Sequence, residues 1–459
     1  MDIVIVAEKL LNGTIWEQEK KLSVLLEMGD RMIINSILDT DWYKIAMGQV
    51  VFYQFPQLVV RYKFIDRNNM IYPKDFAIKL QEEINHLSTL RLALEEQEWL
   101  SKQVGITKYY LNWFSNYSFN PKQVDIKQDE EGHLSIVIEG KWKETIYWEV
   151  PLLAIISELY YKETGCVLNV KEFIKKTVVK RSKLQFPFAD FGTRRRFSFE
   201  AQNLLVFIMS SYEIEEDGDG TGTNPNFLGT SNPYLAKKYN VKPIGTTAHE
   251  CVMAMSALYG VEEANIKWLE NWRYIYGNNY NIALIDTFTT DYFFKTISTK
   301  DLQLLDGLRQ DSGDPIQIGR KIIKYWKERG INPKDKKIVF SDNLNVEKAT
   351  EIYNEFKDKT NVIFGIGTFL TNDCGYKPLN IVIKLDSVFT EDIDTDQDGI
   401  DRSYGYSWKS VVKLSDSKGK YTGNKETVKQ ILFDIGHCSN LGGICNKGYA
   451  CDGCPTNKE

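Results

Sequence analysis

From about residue 187 the chain keeps one rhythm: a short apolar run, a polar glycine-rich turn, then a helical pattern. The turns are DFGTRRR (190–196), GTSN (229–232), GTTAHE (245–250), DTFTTD (286–291), GLRQDSGDP (307–315), SDNLN (341–345) and GIGTFLTND (365–373). Strands joined through helices run parallel, and the crossovers are right-handed. The reading is therefore α/β, with an irregular α/β barrel over 186–415 whose turns gather on one rim. An open doubly wound sheet is the second choice. It would concentrate chemistry at a switch point, whereas nearly every turn here carries Arg, Asp, Ser, Thr or His.

Ahead of the barrel, residues 33–185 mix strand-like runs (LVVRYKFID, LSIVIEGKW) with helix-like runs (FAIKLQEEINHLSTLRLAL, PLLAIISELYYKE). That pattern predicts an α+β sandwich-like domain, strands in one layer and helices against it. Residues 1–32 read as an N-terminal extension, with Met32 a natural alternative start, and 416–459 as a separate C-terminal segment. Two acidic loops, EEDGDGTGTN (215–224) and DIDTDQDGIDRSYG (392–405), have a superficial likeness to calcium loops. In the second, Asp394, Asp396, Asp398 and Gly399 have the opening spacing, but Gly405 stands where a bidentate Glu is required, so both read as solvated loops.

A net charge of −5 excludes a general nucleic-acid binder. No apolar run approaches the ~18 residues of a membrane span, and the N-terminus lacks a basic signal-peptide region. The expectation is a cytoplasmic protein with no membrane partner.

The rim would hold a distinctive set. Arg194, Arg195, Arg196 and Arg309 are forked cations suited to phosphate or carboxylate. Asp311 and Asp342 can accept sugar hydroxyls or hold a metal, and the turn GIGT (365–368) can offer backbone N–H groups to a phosphate. Phe191 and Tyr43 are candidate flat walls. Together these describe a site for a phosphorylated sugar and an aromatic heterocycle.

The segments TDWYK (40–44), DFGTRRRFSFE, GTSN, GTTAHE, RQDSGDP, SDNLN and FGIGTFLTND resemble the nicotinate phosphoribosyltransferase family, in order from about residue 34 to 425. The resemblance implies a type II phosphoribosyltransferase, a homodimer with sites formed between subunits, and transfer of phosphoribosyl from phosphoribosyl pyrophosphate to nicotinate, giving nicotinate mononucleotide and pyrophosphate. It implies Mg²⁺ and ligase-type coupling to ATP through a phosphohistidine at His249, whose neutral imidazole is a competent nucleophile. Glu250 would orient that ring or hold Mg²⁺. It puts Arg309 and Asp311 at the phosphoribosyl group, and Asp342, Gly367 and Thr368 near the 5-phosphate. Lys384 and Lys413 would reach pyrophosphate or ATP phosphates from the partner subunit. Phe191 would cover one face of the pyridine ring and Tyr43, from the neighbouring subunit, the other, with Arg194 on the exocyclic group.

Position 231 bears on the acid. The relative that uses nicotinamide carries Asp there. A carboxylate at 4 Å from nicotinate's own would be repelled by about 4 kcal/mol at an effective dielectric near 20, whereas the Ser231 hydroxyl can donate to it. Nicotinamide or quinolinate phosphoribosyltransferase, or a non-catalytic ligand-binding regulator on the same fold, are the alternatives.

The remaining histidines, His86, His133 and His437, read as structural or surface residues. In the C-terminal tail Cys438, Cys445, Cys451 and Cys454 suit a tetrahedral Zn²⁺ site resembling the zinc-knuckle-like tail of some archaeal relatives, with His437 able to replace one ligand. Cys166, Cys251 and Cys374 read as buried small hydrophobes.

Overall fold

The polar turns divide their residues between two tasks, and this division positions the site. In the computed structural model, which describes residues 32–210, 224–395, 401–417 and 421–436, several turns end in helix caps. Asn232 accepts from the Leu235 amide at the start of Pro233–Tyr239, Asp314 from the Gln317 amide at Pro315–Glu328, and Asn345 from the Lys348 amide at Val346–Phe356. Pro233 and Pro315 sit in the first turn of their helices, where a missing N–H costs nothing. In these three motifs the capping residue stands at or near the C-terminal end, which leaves those nearer the strand for chemistry.

The N-terminal layer begins with β1 (Val59–Asp66), β2 (Val124–Gln128) and β3 (Leu134–Lys141). The rim-forming strands are β4 (Phe188–Asp190), β5 (Phe227–Thr230), β6 (Lys242–Pro243), β7 (Ile282–Leu284), β8 (Gly307–Gln310), β9 (Lys337–Phe340) and β10 (Asn361–Ile366). They form one seven-stranded sheet in the order β6-β5-β4-β10-β9-β8-β7, with every neighbouring pair parallel. Among the described residues no ladder joins β6 to β7, so the sheet is a curled half-barrel. Between these two edge strands the chain forms the helices His249–Tyr259 and Val261–Tyr276, whose buried residues Val252, Met253, Trp268 and Trp272 join the core of the N-terminal layer. The barrel is irregular because its gap is spanned by helices that belong to the other core.

β11 (Ile381–Thr395) and β12 (Asp401–Ser410) follow the half-barrel in sequence and return to the first layer. The antiparallel sheet has the order β12-β11-β1-β3-β2, and Lys384 lies opposite Lys63 of β1. The two ends of the second acidic loop therefore lie in paired strands, with Asp394 opposite Arg402 in the ladder, and not in the helices that flank a calcium-binding loop; its residues 396–400 lie outside the described residues. The first acidic loop, the N-terminal extension and the four tail cysteines with His437 lie outside the described residues.

Two cores result. One packs the antiparallel sheet with Trp42–Gln54, Glu149–Glu163 and the spanning helices; the other fills the half-barrel with Phe188, Leu308, Ile338, Phe340 and Phe364. No helix among the described residues is long and apolar enough to cross a membrane.

Candidate active site

A cleft opens where the ends of the parallel strands face the antiparallel layer. It is lined from the half-barrel side by Arg194, His249, Arg309 and Asp311, and from the other layer by Tyr43, Glu149 and Lys384. Strand geometry explains the first group. Arg309 lies within β8, and Asp311 directly follows it. Arg309 Nη2 donates to Asp311 Oδ1 at 2.9 Å, its Nε donates to Ser341 Oγ at 2.8 Å, and Ser341 donates to Asp311 Oδ1 at 2.8 Å. This triangle fixes both charges. Burial alone would raise the Asp311 carboxyl, but the Arg309 guanidinium and the His249 hydrogen bond hold it well below its ordinary range.

His249 is the first residue of its helix and is buried. Nδ1 lies 3.0 Å from Thr287 Oγ1, and Nε2 lies 2.7 Å from Lys413 Nζ and 3.2 Å from Asp311 Oδ2. Lys413 can donate to Nε2 whereas the Asp311 carboxylate can only accept from it, so Nε2 is engaged from both sides, and Thr287, which can donate or accept, suits either tautomer at Nδ1. Burial first, and then the Lys413 ammonium, push the imidazole down to about 4, so it is neutral at pH 7. Lys413 is held in turn by Asp286 at 3.2 Å. The carboxylates of Asp286 and Asp311 lie with His249 inside one 4.8 Å cluster that could hold a metal, and Asp286 Oδ1 is buried without a hydrogen-bond donor. These are hard oxygen donors of the kind Mg²⁺ takes.

The other half of the cleft rests on buried ions. Lys44 Nζ lies 2.7 Å from Glu149 Oε2 and 2.8 Å from Glu250 Oε2. Glu250 therefore does not orient His249, as its place in the sequence suggested; it turns towards Lys44, and Thr287 holds the ring instead. Burial pushes both carboxyls up, but Glu149, which also faces Arg194, is brought down to about 2 by Lys44 and Arg194, while Glu250 stays raised. Lys384 lines the cleft close enough to Glu149 to feel its charge, and burial lowers its ammonium to about 8.

Of the two expected aromatic walls Tyr43 lines the cleft and Phe191 stands beside Arg309 without lining it, and each ring carries a cation. The Arg194 guanidinium lies 5.8 Å from the Tyr43 ring, and that of Arg309 lies 5.6 Å from the Phe191 ring. The resemblance had implied that Tyr43, Lys384 and Lys413 arrive from a neighbouring subunit. Here Tyr43 and Lys384 line the cleft of their own chain and Lys413 touches His249 beside it, the two lysines because β11 and the segment after β12 return there.

Other expected residues stand further off. Arg196 is not a rim cation: it is fully buried and forked onto Asp39, at 2.6 and 2.8 Å. Asp342, Gly367 and Thr368 follow β9 and β10 beside the cleft rather than lining it. Gly367 is tight against Phe191, since an added Cβ would stand 2.9 Å from the Phe191 carbonyl oxygen. Ser231 donates to Asp41 at 2.5 Å and is buried, so its hydroxyl proton is already engaged. Of the isolated cysteines only Cys251 is buried; Cys166 and Cys374 are half-buried, because they sit in connecting segments at the edge of the half-barrel core.

Sequence reasoning passed over Asp41, Lys44, Glu149, Asp286 and Thr287. Four of these stood inside quoted motifs, TDWYK and DTFTTD, and their side-chain charge or hydroxyl was the available signal. Glu149 had a weaker one, a lone acid heading the apolar helix EVPLLAII.

Two family models match the chain: the nicotinate phosphoribosyltransferase (NAPRTase) family over residues 186–432, and the N-terminal domain of that family over 38–157. Nicotinate phosphoribosyltransferase of Desulforapulum autotrophicum is 40% identical over 411 residues, covering 88% of this chain and 98% of the relative. That of Methanosarcina acetivorans is 37% identical over 431 residues, with coverages of 88% and 98%. Among solved structures, nicotinate phosphoribosyltransferase from Porphyromonas gingivalis superposes with a TM-score of 0.79 at 35% identity, covering 88% of this chain and all of the other (100%). The enzyme from Vibrio cholerae gives 0.77 at 29% identity, with coverages of 88% and 95%.

Proposed function

Starting from the fact that the chain belongs to the nicotinate phosphoribosyltransferase family, we propose how its cleft transfers phosphoribosyl to nicotinate. The activity itself, formation of nicotinate mononucleotide and pyrophosphate on the way to NAD, follows from family and relatives. The pyridine nitrogen attacks C1 of the ribose with its own lone pair as the C1–O bond to pyrophosphate breaks. The leaving group takes that electron pair, and no proton moves. The barrier lies in separating pyrophosphate from a cationic ribose, so fixed charges carry the catalysis.

Arg309, with its fork fixed by Asp311 and Ser341, serves the phosphoribosyl group, and Lys384 and Lys413 are the cations for polyphosphate. Asp342, Gly367 and Thr368 are assigned to the 5-phosphate, and Phe191 and Tyr43 to the ring faces. Asp286 and Asp311 would hold Mg²⁺, which when bound neutralises charge on the pyrophosphate. The four tail cysteines remain the proposed ligands of Zn²⁺, which metal analysis of the purified protein would detect.

Ligase-type coupling to ATP is assigned to His249. Nε2 attacks the γ-phosphorus, the bond to the ADP oxygen breaks with ADP taking the electron pair, and water later returns the imidazole and phosphate. The observation that supports this reading is the placement of the ring: a buried imidazole, lowered to about 4 and so neutral at pH 7, meets the cleft between Lys413 and Asp311. A homodimer is retained as the expected assembly. ATP and phosphoribosyl pyrophosphate are cytoplasmic metabolites, and the reaction is placed there on that ground.

The test is product formation from nicotinate or nicotinamide with phosphoribosyl pyrophosphate, with and without ATP. Nicotinate mononucleotide should form and ATP should accelerate it. Equal conversion of nicotinamide, or binding without pyrophosphate release, would favour the alternatives instead.

A further inference from the structure

Ser231 cannot be the sole group that reads the substrate acid. A hydroxyl has one proton, and Ser231 gives its proton to Asp41 Oδ1 at 2.5 Å. Asp41 is 2% exposed and precedes the helix Trp42–Gln54, whose first amide donates to the Ser231 carbonyl at 2.6 Å. The two segments are thus clamped by backbone and side chain together.

The second oxygen of Asp41 faces Arg194. Asp41 Oδ2 lies 3.6 Å from Arg194 Nε, and Glu149 Oε1 lies 3.4 Å from Arg194 Nη1. Tyr43, between them in the fold, donates to the other Glu149 oxygen at 3.3 Å. Two buried carboxylates therefore grip two nitrogens of one guanidinium. Nη2 is the nitrogen engaged by neither, on a side chain that lines the cleft.

We propose that Asp41 is a positioning residue for recognition of the acid: with Glu149 it braces Arg194 so that the free edge of the guanidinium, rather than the Ser231 hydroxyl, receives nicotinate's carboxylate. The inference rests on reading this cleft as the nicotinate site. It changes the meaning of position 231. A carboxylate there would stand at hydrogen-bond distance from the buried Asp41 carboxylate, so the serine is what Asp41 requires as a neighbour. Discrimination against the amide then arises because only the acid sets a full negative charge against the guanidinium donors.

The experiment measures KM for nicotinate and for phosphoribosyl pyrophosphate in the full-length enzyme. Asp41→Asn keeps the shape and removes the charge. It should raise KM for nicotinate about 10-fold, with KM for phosphoribosyl pyrophosphate within about twofold of wild type. In an Arg194→Gln background the same change should cost less than about twofold, because Asp41 acts through Arg194. An unchanged nicotinate KM, an equal cost in both backgrounds, or a parallel rise for both substrates overturns the proposal. If Asp41→Asn does not fold, Asp41→Glu, which keeps the charge but displaces it by one methylene, carries the same expectations. A wild-type protein that forms no nicotinate mononucleotide would instead contradict the functional reading beneath it.

Discussion

Lys413 Nζ meets His249 Nε2 at 2.7 Å, although the two residues are 164 positions apart in the chain. The contact ties the segment after β12 to the half-barrel rim and helps keep the imidazole neutral. Replacing Lys413 with Met removes the cation beside His249 that is assigned to polyphosphate. ATP turnover should fall by at least about 10-fold while nicotinate binding is retained. Coupled ADP release and equilibrium nicotinate binding measure the two separately.

The same burial makes stability depend on pH in a defined direction. His249 has a folded-state pKa near 4 against an ordinary value of 6.5. Between these values the unfolded chain binds the extra proton, so stability is lost as pH falls from about 6.5 towards 4, with a contribution on the order of 3 kcal/mol. His249→Asn should remove this component. Denaturant titrations at pH 7 and pH 5 should show a smaller difference for the variant than for wild type.

Lys384 titrates in the opposite, alkaline range. Its ammonium, lowered to about 8 by burial, loses charge as pH rises above that value. KM for phosphoribosyl pyrophosphate should therefore rise between pH 7.5 and 9. Lys384→Arg, which stays charged throughout, should flatten that limb.

Lys44 holds two buried carboxylates and is itself fully buried. Lys44→Met leaves Glu149 and Glu250 without their shared cation and should destabilise the fold by about 3 kcal/mol at pH 7. The loss should be smaller at pH 5 than at pH 7, because burial already raises the Glu250 carboxyl and removing Lys44 takes away the cation that opposes that rise. Thermal unfolding at the two pH values checks both statements.

The half-barrel was legible because each strand announced itself by the turn that ended it: the motifs beginning at 190, 229, 245, 286, 307, 341 and 365 overlap or follow β4 to β10 in order, the one at 307 containing β8 itself. What sequence could not give was partnership across the chain. Nothing local to Lys384 reveals that β11 returns to pair with β1 and brings that lysine to the cleft. Arg194 and Arg196 look equivalent in TRRR, yet one lines the cleft and the other is buried on Asp39, a choice made by tertiary packing. Ser231 shows the same limit: its residue type was legible, but its hydrogen-bond partner lies 190 positions earlier.

The most direct measurement is the site of phosphorylation. The enzyme is incubated with ATP, and the phosphoimidazole is located by phosphorus and nitrogen NMR at alkaline pH, with His249→Asn as control. The account predicts a single phosphate on Nε2 of His249, absent from the variant. Phosphate on Nδ1, on another residue, or retained in the variant would contradict it.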